Sequence, residues 1–184
     1  MNLANKITMS RIFMAVIIMV LLLFPFYQFG IEFPTYVIAG RITIDLKYVI
    51  AGVIFIVASI TDFIDGNVAR KYNMVTDFGK TIDAISDKIL TNSLLIILAS
   101  NGMISPIIAV VIVVRDIVTD SLKMLMGSKK GAVAAINVAK WKTATLMMGL
   151  TLTLFYNLPV ALIPLNVADF LLVVAAILSV ISGV

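Results

Sequence analysis

The chain contains no cysteine and no histidine. The first absence excludes disulfides, thiolate nucleophiles and sulfur-ligated metals. The second removes the side chain that most often moves protons near neutral pH. Acid–base work must then come from Asp, Lys, Arg, Tyr or a metal-bound group. Charge is scarce as well: 13% of the 184 residues are Asp, Glu, Lys or Arg, against about 25% in a typical soluble domain. What is abundant is apolar, with 61% hydrophobic residues and a mean hydropathy of +1.12. This composition describes an integral membrane protein, residues 1–184 forming a single membrane domain with little chain left for a soluble one. A net charge of +4 and a pI near 9.4 suit contact with anionic lipid headgroups. The basic residues are scattered between apolar runs and form no stripe, which argues against nucleic acid as a partner.

Breakers and charges divide the chain into six expected transmembrane helices, an all-α layout. Residues 1–11 read as an interfacial N-terminal segment and 12–184 as a six-helix bundle. The first span follows Arg11 and ends near Pro25; no small-residue cleavage site follows it, which argues against a signal peptide. A connecting segment carries Gly30, Pro34 and Gly40. Further spans are expected at about 47–71, 79–100, 106–126 and 133–156, with Asn157-Leu158-Pro159 breaking the fifth and the sixth reaching Val184. Asn101 and Gly102 form a turn before Pro106, a residue suited to a first helical turn. Lys6, Arg11, Arg70, Lys71, Lys80, Lys129 and Lys130 fall on one side of this layout, and Arg41 and Lys47 on the other. The positive-inside rule then places both termini, and the polar ends of the helices, in the cytoplasm.

Many charges lie inside the expected spans rather than in loops: Asp62, Asp65, Asp83, Asp87, Arg115, Asp116, Asp120, Lys123, Lys140 and Lys142. A charge at the bilayer centre costs about 2.5–3.5 kcal/mol on insertion scales, so such groups face polar cavities and do work. At 1.5 Å per residue Asp62 sits roughly 20 Å from the outer end of its helix, which brings these groups to the cytoplasmic half of the bilayer. Asp62 and Asp65 share one helix face, and Asp83 and Asp87 share another. Four carboxylates brought together cannot all stay ionised unaided. Divalent cations remove the repulsion, and all-oxygen ligands favour Mg²⁺, Mn²⁺ or Ca²⁺. Gly66, Gly79 and Ala69 leave room for a ligand or a neighbouring backbone, and Arg70 supplies a fork for phosphate. Simpler roles stand beside these. Asp62 and Asp65 could pair with Arg70 and Lys88, and Arg115, Asp116, Asp120 and Lys123 could form structural ion pairs. Asp169, ahead of an apolar helix, reads as an N-cap.

The run Asp62-x-x-Asp65-Gly66-x-x-Ala69-Arg70, eight further residues, then Gly79-x-x-x-Asp83-x-x-x-Asp87 resembles the signature of the CDP-alcohol phosphatidyltransferases at every defined position. Eight fixed residues at fixed gaps make a specific pattern, and the six-helix layout extends the likeness over nearly the whole chain. Shorter elements resemble the bacterial phosphatidylglycerophosphate synthases within that family: the start Asn5-Lys6-Ile7-Thr8-Met9-Ser10-Arg11, the pair Arg115-Asp116, and Lys140-Trp141-Lys142-Thr143. There are departures. Ala84 stands where Pro is common, Ser86 where Ala is common, and Ala4 where a Pro is usual.

The resemblance implies a fold, a reaction and roles. Asp62, Asp65, Asp83 and Asp87 would bind two divalent cations, Mg²⁺ or Mn²⁺. Asp62, Gly66, Ala69, Arg70 and Gly79 would shape the CDP site. Asp87 would also be the general base, and Arg115, Lys140 and Lys142 would hold the phosphate of the acceptor. The donor would be CDP-diacylglycerol, the acceptor sn-glycerol 3-phosphate and the products phosphatidylglycerol phosphate and CMP, with the enzyme a homodimer among membrane lipid of a bacterial plasma membrane. Inositol phosphate, serine or phosphatidylglycerol are other acceptors within the class. An ion- or proton-coupled transporter is the reading from another class, since intramembrane acids also mark ion pathways. Against it, the acids cluster at one depth, and the chain shows no inverted repeat.

Overall fold

The structure is a computed structural model that describes residues 3–38, 42–71, 77–126, 133–158 and 166–182. Side chains are described over 8–37, 43–61, 82–122, 140–158 and 166–182. Six α-helices account for most of it: α1 Leu3–Leu23, α2 Leu46–Lys71, α3 Asp77–Ser100, α4 Pro106–Met126, α5 Val133–Leu154 and α6 Val167–Ile181. Contacts divide the chain into two compact units, Met1–Ile97 with Leu154–Tyr156, and Leu98–Thr153 with Asn157–Val184.

The helix ends follow from local chemistry. Asp45 precedes α2 and its Oδ1 accepts the N–H of Lys47 at 3.0 Å, a side-chain cap on an otherwise orphaned donor. At the end of α3, the Met103 N–H reaches the Leu98 carbonyl and the Gly102 N–H reaches that of Ala99, with Gly102 at φ +71°. This is the paired closure that a left-handed glycine permits. Pro106 then opens α4, as its missing N–H allows. After α5, Tyr156 and Asn157 both adopt left-handed backbone (φ 56° and 60°) and the Asn157 N–H closes on Leu152. Asn157 Oδ1 then accepts the N–H of Ala168 in the first turn of α6.

Two expectations change. The segment after the first helix is not featureless: it holds a 3-10 turn at Phe26–Phe29 and an antiparallel hairpin, β1 Thr35–Ile38 with β2 Ile42–Asp45, so the fold is not wholly helical. Its register pairs Tyr36 with Ile44 and Val37 with Thr43, β-branched and aromatic residues suited to a pleat. Helix α1 runs unbroken from Leu3 to Leu23. Asp169 is not the N-cap of α6. Asn166 holds that position, and Asp169 lies inside the first turn, where a negative charge meets the positive end of the helix dipole.

In the first unit, α1 packs on α2 through Ala15, Ile18 and Leu22 from one and Ala51, Phe55 and Ala58 from the other, all buried. Alanines at these places let the backbones approach closely. In the second, α4 packs on α6 with Ala109 and Ile112 buried on one helix and Ala168, Leu172 and Ala175 on the other. Among the described residues, no helix is long and apolar enough to cross a membrane. Helix α3 carries Asp77, Lys80, Asp83, Asp87 and Lys88, and the 15 residues of α6 span about 22 Å against a hydrocarbon core of about 30 Å.

Candidate functional site

Helix α2 carries Asp62, Asp65, Gly66, Ala69 and Arg70 over its last turns, and α3 carries Gly79, Asp83 and Asp87 over its first. The side chains of Asp62, Asp65, Ala69 and Arg70, and the surroundings of Gly66 and Gly79, lie outside those described. Asp83 and Asp87 are described, one helical turn apart and therefore on one face of α3. The Asp83 side chain is 47% exposed; that of Asp87 is part-buried, and its backbone carbonyl accepts the Thr91 hydroxyl at 2.9 Å.

Arg11 of α1 reaches this face. Its side chain is 1% exposed, and its Nη1 donates to Asp83 Oδ1 at 2.9 Å and to the Ser86 hydroxyl at 3.1 Å. Ser86, wholly buried, donates in turn to the Asp83 backbone carbonyl at 2.8 Å. Arg11 is thus not merely a flanking charge before an apolar run. The signal was present in the sequence: Thr8, Arg11, Ala15, Ile18 and Leu22 recur at alternating gaps of three and four, and all five are buried. A cation on the buried stripe of a helix needs a partner acid.

The donors at this face are carboxylate oxygens, the type that hard divalent cations take. Among the described residues no three acids gather as a metal site; Asp62 and Asp65 lie outside the described side chains. Asp83 and Asp87 fit the donor half that falls within them.

The second unit holds a separate charged cluster. Asp116 of α4 accepts from Lys142 Nζ of α5 at 2.6 Å and from Arg115 Nη1 at 3.0 Å through the same oxygen, Oδ1. Arg115 Nη2 also donates to the hydroxyl of Ser182, just past the end of α6, at 2.5 Å. Two cations against one carboxylate leave a formal excess of one positive charge (+1 +1 −1) with little water access, since the three side chains are 18%, 10% and 8% exposed for Arg115, Lys142 and Asp116. Such a group attracts an anion. Lys140 is not in it. Two residues from Lys142 on a helix, it points to the opposite side and is exposed, next to the exposed Trp141. Ser182 was not foreseen, since a serine near the end of an apolar run carries no distinguishing signal.

A family model described as CDP-alcohol phosphatidyltransferase matches residues 1–181. The chain belongs to the CDP-alcohol phosphatidyltransferase family. Relatives named CDP-diacylglycerol–glycerol-3-phosphate 3-phosphatidyltransferase include one from Bacillus subtilis (strain 168), 35% identical over 182 residues that cover 99% of this chain and 91% of that protein. One from Rickettsia typhi (strain Wilmington) is 32% identical over 183 residues, 99% of this chain and 93% of its own length. One from Mycoplasma genitalium is 36% identical over 154 residues, 84% of this chain and 65% of that relative. Members of the CDP-alcohol phosphatidyltransferase family are transferases and generally depend on divalent metal.

Proposed function

We propose that the chain transfers the phosphatidyl group of CDP-diacylglycerol to sn-glycerol 3-phosphate, releasing phosphatidylglycerol phosphate and CMP. The observation that carries this is the full-length similarity to proteins bearing that name, at 35% identity over 99% of the chain. The buried, net-positive Arg115–Asp116–Lys142 cluster supports a phosphorylated acceptor over an uncharged one.

Asp62, Asp65, Asp83 and Asp87 would hold two divalent cations, Mg²⁺ or Mn²⁺. These would neutralise the donor pyrophosphate and the charge left on CMP. Arg70, with room made by Gly66, Ala69 and Gly79, would bind the CDP moiety alongside Asp62. Arg115 and Lys142 would hold the acceptor's phosphate, with exposed Lys140 adding attraction at longer range. Asp87 would take the proton from the acceptor hydroxyl. The freed oxygen bonds to the phosphatidyl phosphorus as the bond from that phosphorus to the CMP oxygen breaks. With no histidine in the chain, a carboxylate is the available base.

A membrane setting belongs to the same proposal: six spanning helices, both termini and the reacting groups on the cytoplasmic side of a bacterial membrane, and a homodimer. Support comes from side chains left uncovered along the helices. Phe13, Ile107, Val114, Ile117, Met148, Phe170 and Ile177 are all exposed, large apolar side chains that lipid would cover. Trp141 beside Lys140 is a pairing typical of the interface.

The test is CMP release by the purified protein in detergent, with CDP-diacylglycerol, Mg²⁺ or Mn²⁺ and a panel of acceptors. Metal-dependent release with glycerol 3-phosphate alone supports the proposal. Release only with inositol phosphate, serine or phosphatidylglycerol replaces the acceptor and keeps the reaction class.

A further inference from the structure

Nothing in the proposed reaction uses α1, yet α1 sends a buried cation, Arg11, to an acid of the signature. The Arg11 guanidinium donates through Nη1 to Asp83 Oδ1 from the buried side. The same nitrogen is shared with the Ser86 hydroxyl. That hydroxyl is anchored in turn on the backbone carbonyl of Asp83 itself. The result is a closed relay in which the residue being oriented also fixes the group that helps to orient it. The carboxylate stays about half exposed on its other side. A charge-assisted hydrogen bond to one carboxylate oxygen restricts how the side chain can turn.

We propose that Arg11 and Ser86 are positioning residues that orient the Asp83 carboxylate for a divalent cation. This rests on Asp83 being a metal ligand. Partners that orient a metal-binding carboxylate typically change affinity about 10–100-fold when removed. A salt bridge that only staples α1 in place would change stability and leave metal affinity alone.

The experiment measures Mn²⁺ binding to the full chain, purified in detergent without lipid substrate, by the loss of the free-ion electron paramagnetic resonance signal. Thermal unfolding without metal is recorded in parallel. Arg11→Met keeps the length and buried volume of the side chain and removes the charge; it should weaken Mn²⁺ binding by about 10–100-fold. Arg11→Lys should recover part of that loss. Ser86→Ala, which empties no pocket and is the variant that decides should Arg11→Met fail to fold, should weaken binding in the same direction by less. A folded Arg11→Met or Ser86→Ala protein that binds Mn²⁺ as tightly as the unmodified chain overturns the positioning role. Asp83→Asn separates the two layers. If it leaves Mn²⁺ binding intact, Asp83 is no ligand and both ideas fall. If it abolishes binding while Arg11→Met and Ser86→Ala do not weaken it, only the positioning role falls.

Discussion

Lys142 Nζ and Asp116 Oδ1 lie 2.6 Å apart, joining residues 26 positions apart in sequence with both side chains almost wholly buried. Removing one partner strands the other charge in a medium that solvates it poorly, a loss of about 3–5 kcal/mol. Asp116→Leu should therefore lower stability strongly, more so because Arg115 loses the same oxygen. Lys142→Met should cost less, because Asp116 keeps Arg115 as a partner. The double variant should be less destabilised than the sum of the two, because no Lys142 charge is left without its carboxylate; the loss of Arg115's partner remains. Unfolding midpoints of the four proteins in one detergent give the cycle. Additive losses would show that the pair is not coupled.

The two lysines of the Lys140-Trp141-Lys142 element should separate in kinetics. Lys142→Ala should raise the KM for glycerol 3-phosphate by about tenfold or more, the loss of one charge-assisted hydrogen bond, with little change in the KM for the lipid donor. Lys140→Ala should do much less, because that side chain is exposed on the other side of the helix. Ser182→Ala, which frees Arg115 Nη2, should fall between them. Steady-state CMP release against each substrate decides. Equal effects of Lys140 and Lys142 would remove the buried cluster from acceptor binding.

The fold was legible where punctuation is chemical. Pro106, Gly102 and Asn157 end or open helices at the positions their backbone preferences dictate. The hairpin was not legible, because Gly30, Pro34 and Gly40 drew notice to breakers while the alternating Thr35-Tyr36-Val37 and Ile42-Thr43-Ile44 runs are short. Of the site, the acids and glycines are written into fixed spacings within two adjacent helices. Arg11 with Asp83 and Arg115 with Ser182 bridge 72 and 67 positions. No local spacing encodes such pairs; only the buried stripe of α1 hinted at the first.

Asp87→Asn keeps the size and polarity of the side chain but cannot accept a proton at neutral pH. If Asp87 is the general base, turnover should drop by about 100–10,000-fold while the thermal unfolding midpoint stays near that of the unmodified protein. Near-normal CMP release would take the role of base away from it. Asp120→Asn, an acid of α4 outside the proposed chemistry, serves as the comparison and should retain most activity.

The absence of cysteine makes topology directly measurable. A single Asn101→Cys, in the turn after α3, should react with a membrane-impermeant maleimide on intact cells. A single Ser128→Cys, between α4 and α5, should react only after permeabilisation. The reverse pattern would invert the proposed orientation. Labelling of both sites in intact cells would argue against a spanning α4.

Gly149 of α5 faces Leu172 of α6 so closely that an added Cβ would lie 2.9 Å from Leu172 Cγ and Cδ2 and 3.4 Å from its backbone nitrogen. The side chain of Leu172 is fully buried and has little space into which to move, and the backbone nitrogen cannot yield without shifting α6. Gly149→Val should then destabilise the second unit by about 1–3 kcal/mol, as over-packed cores do. Adding Leu172→Ala removes the nearest carbons and should return part of the loss. It leaves the backbone contact in place, so recovery should be incomplete. Unfolding midpoints of the single and double variants test this. A Gly149→Val protein as stable as the unmodified chain would mean that α5 and α6 do not pack at this point.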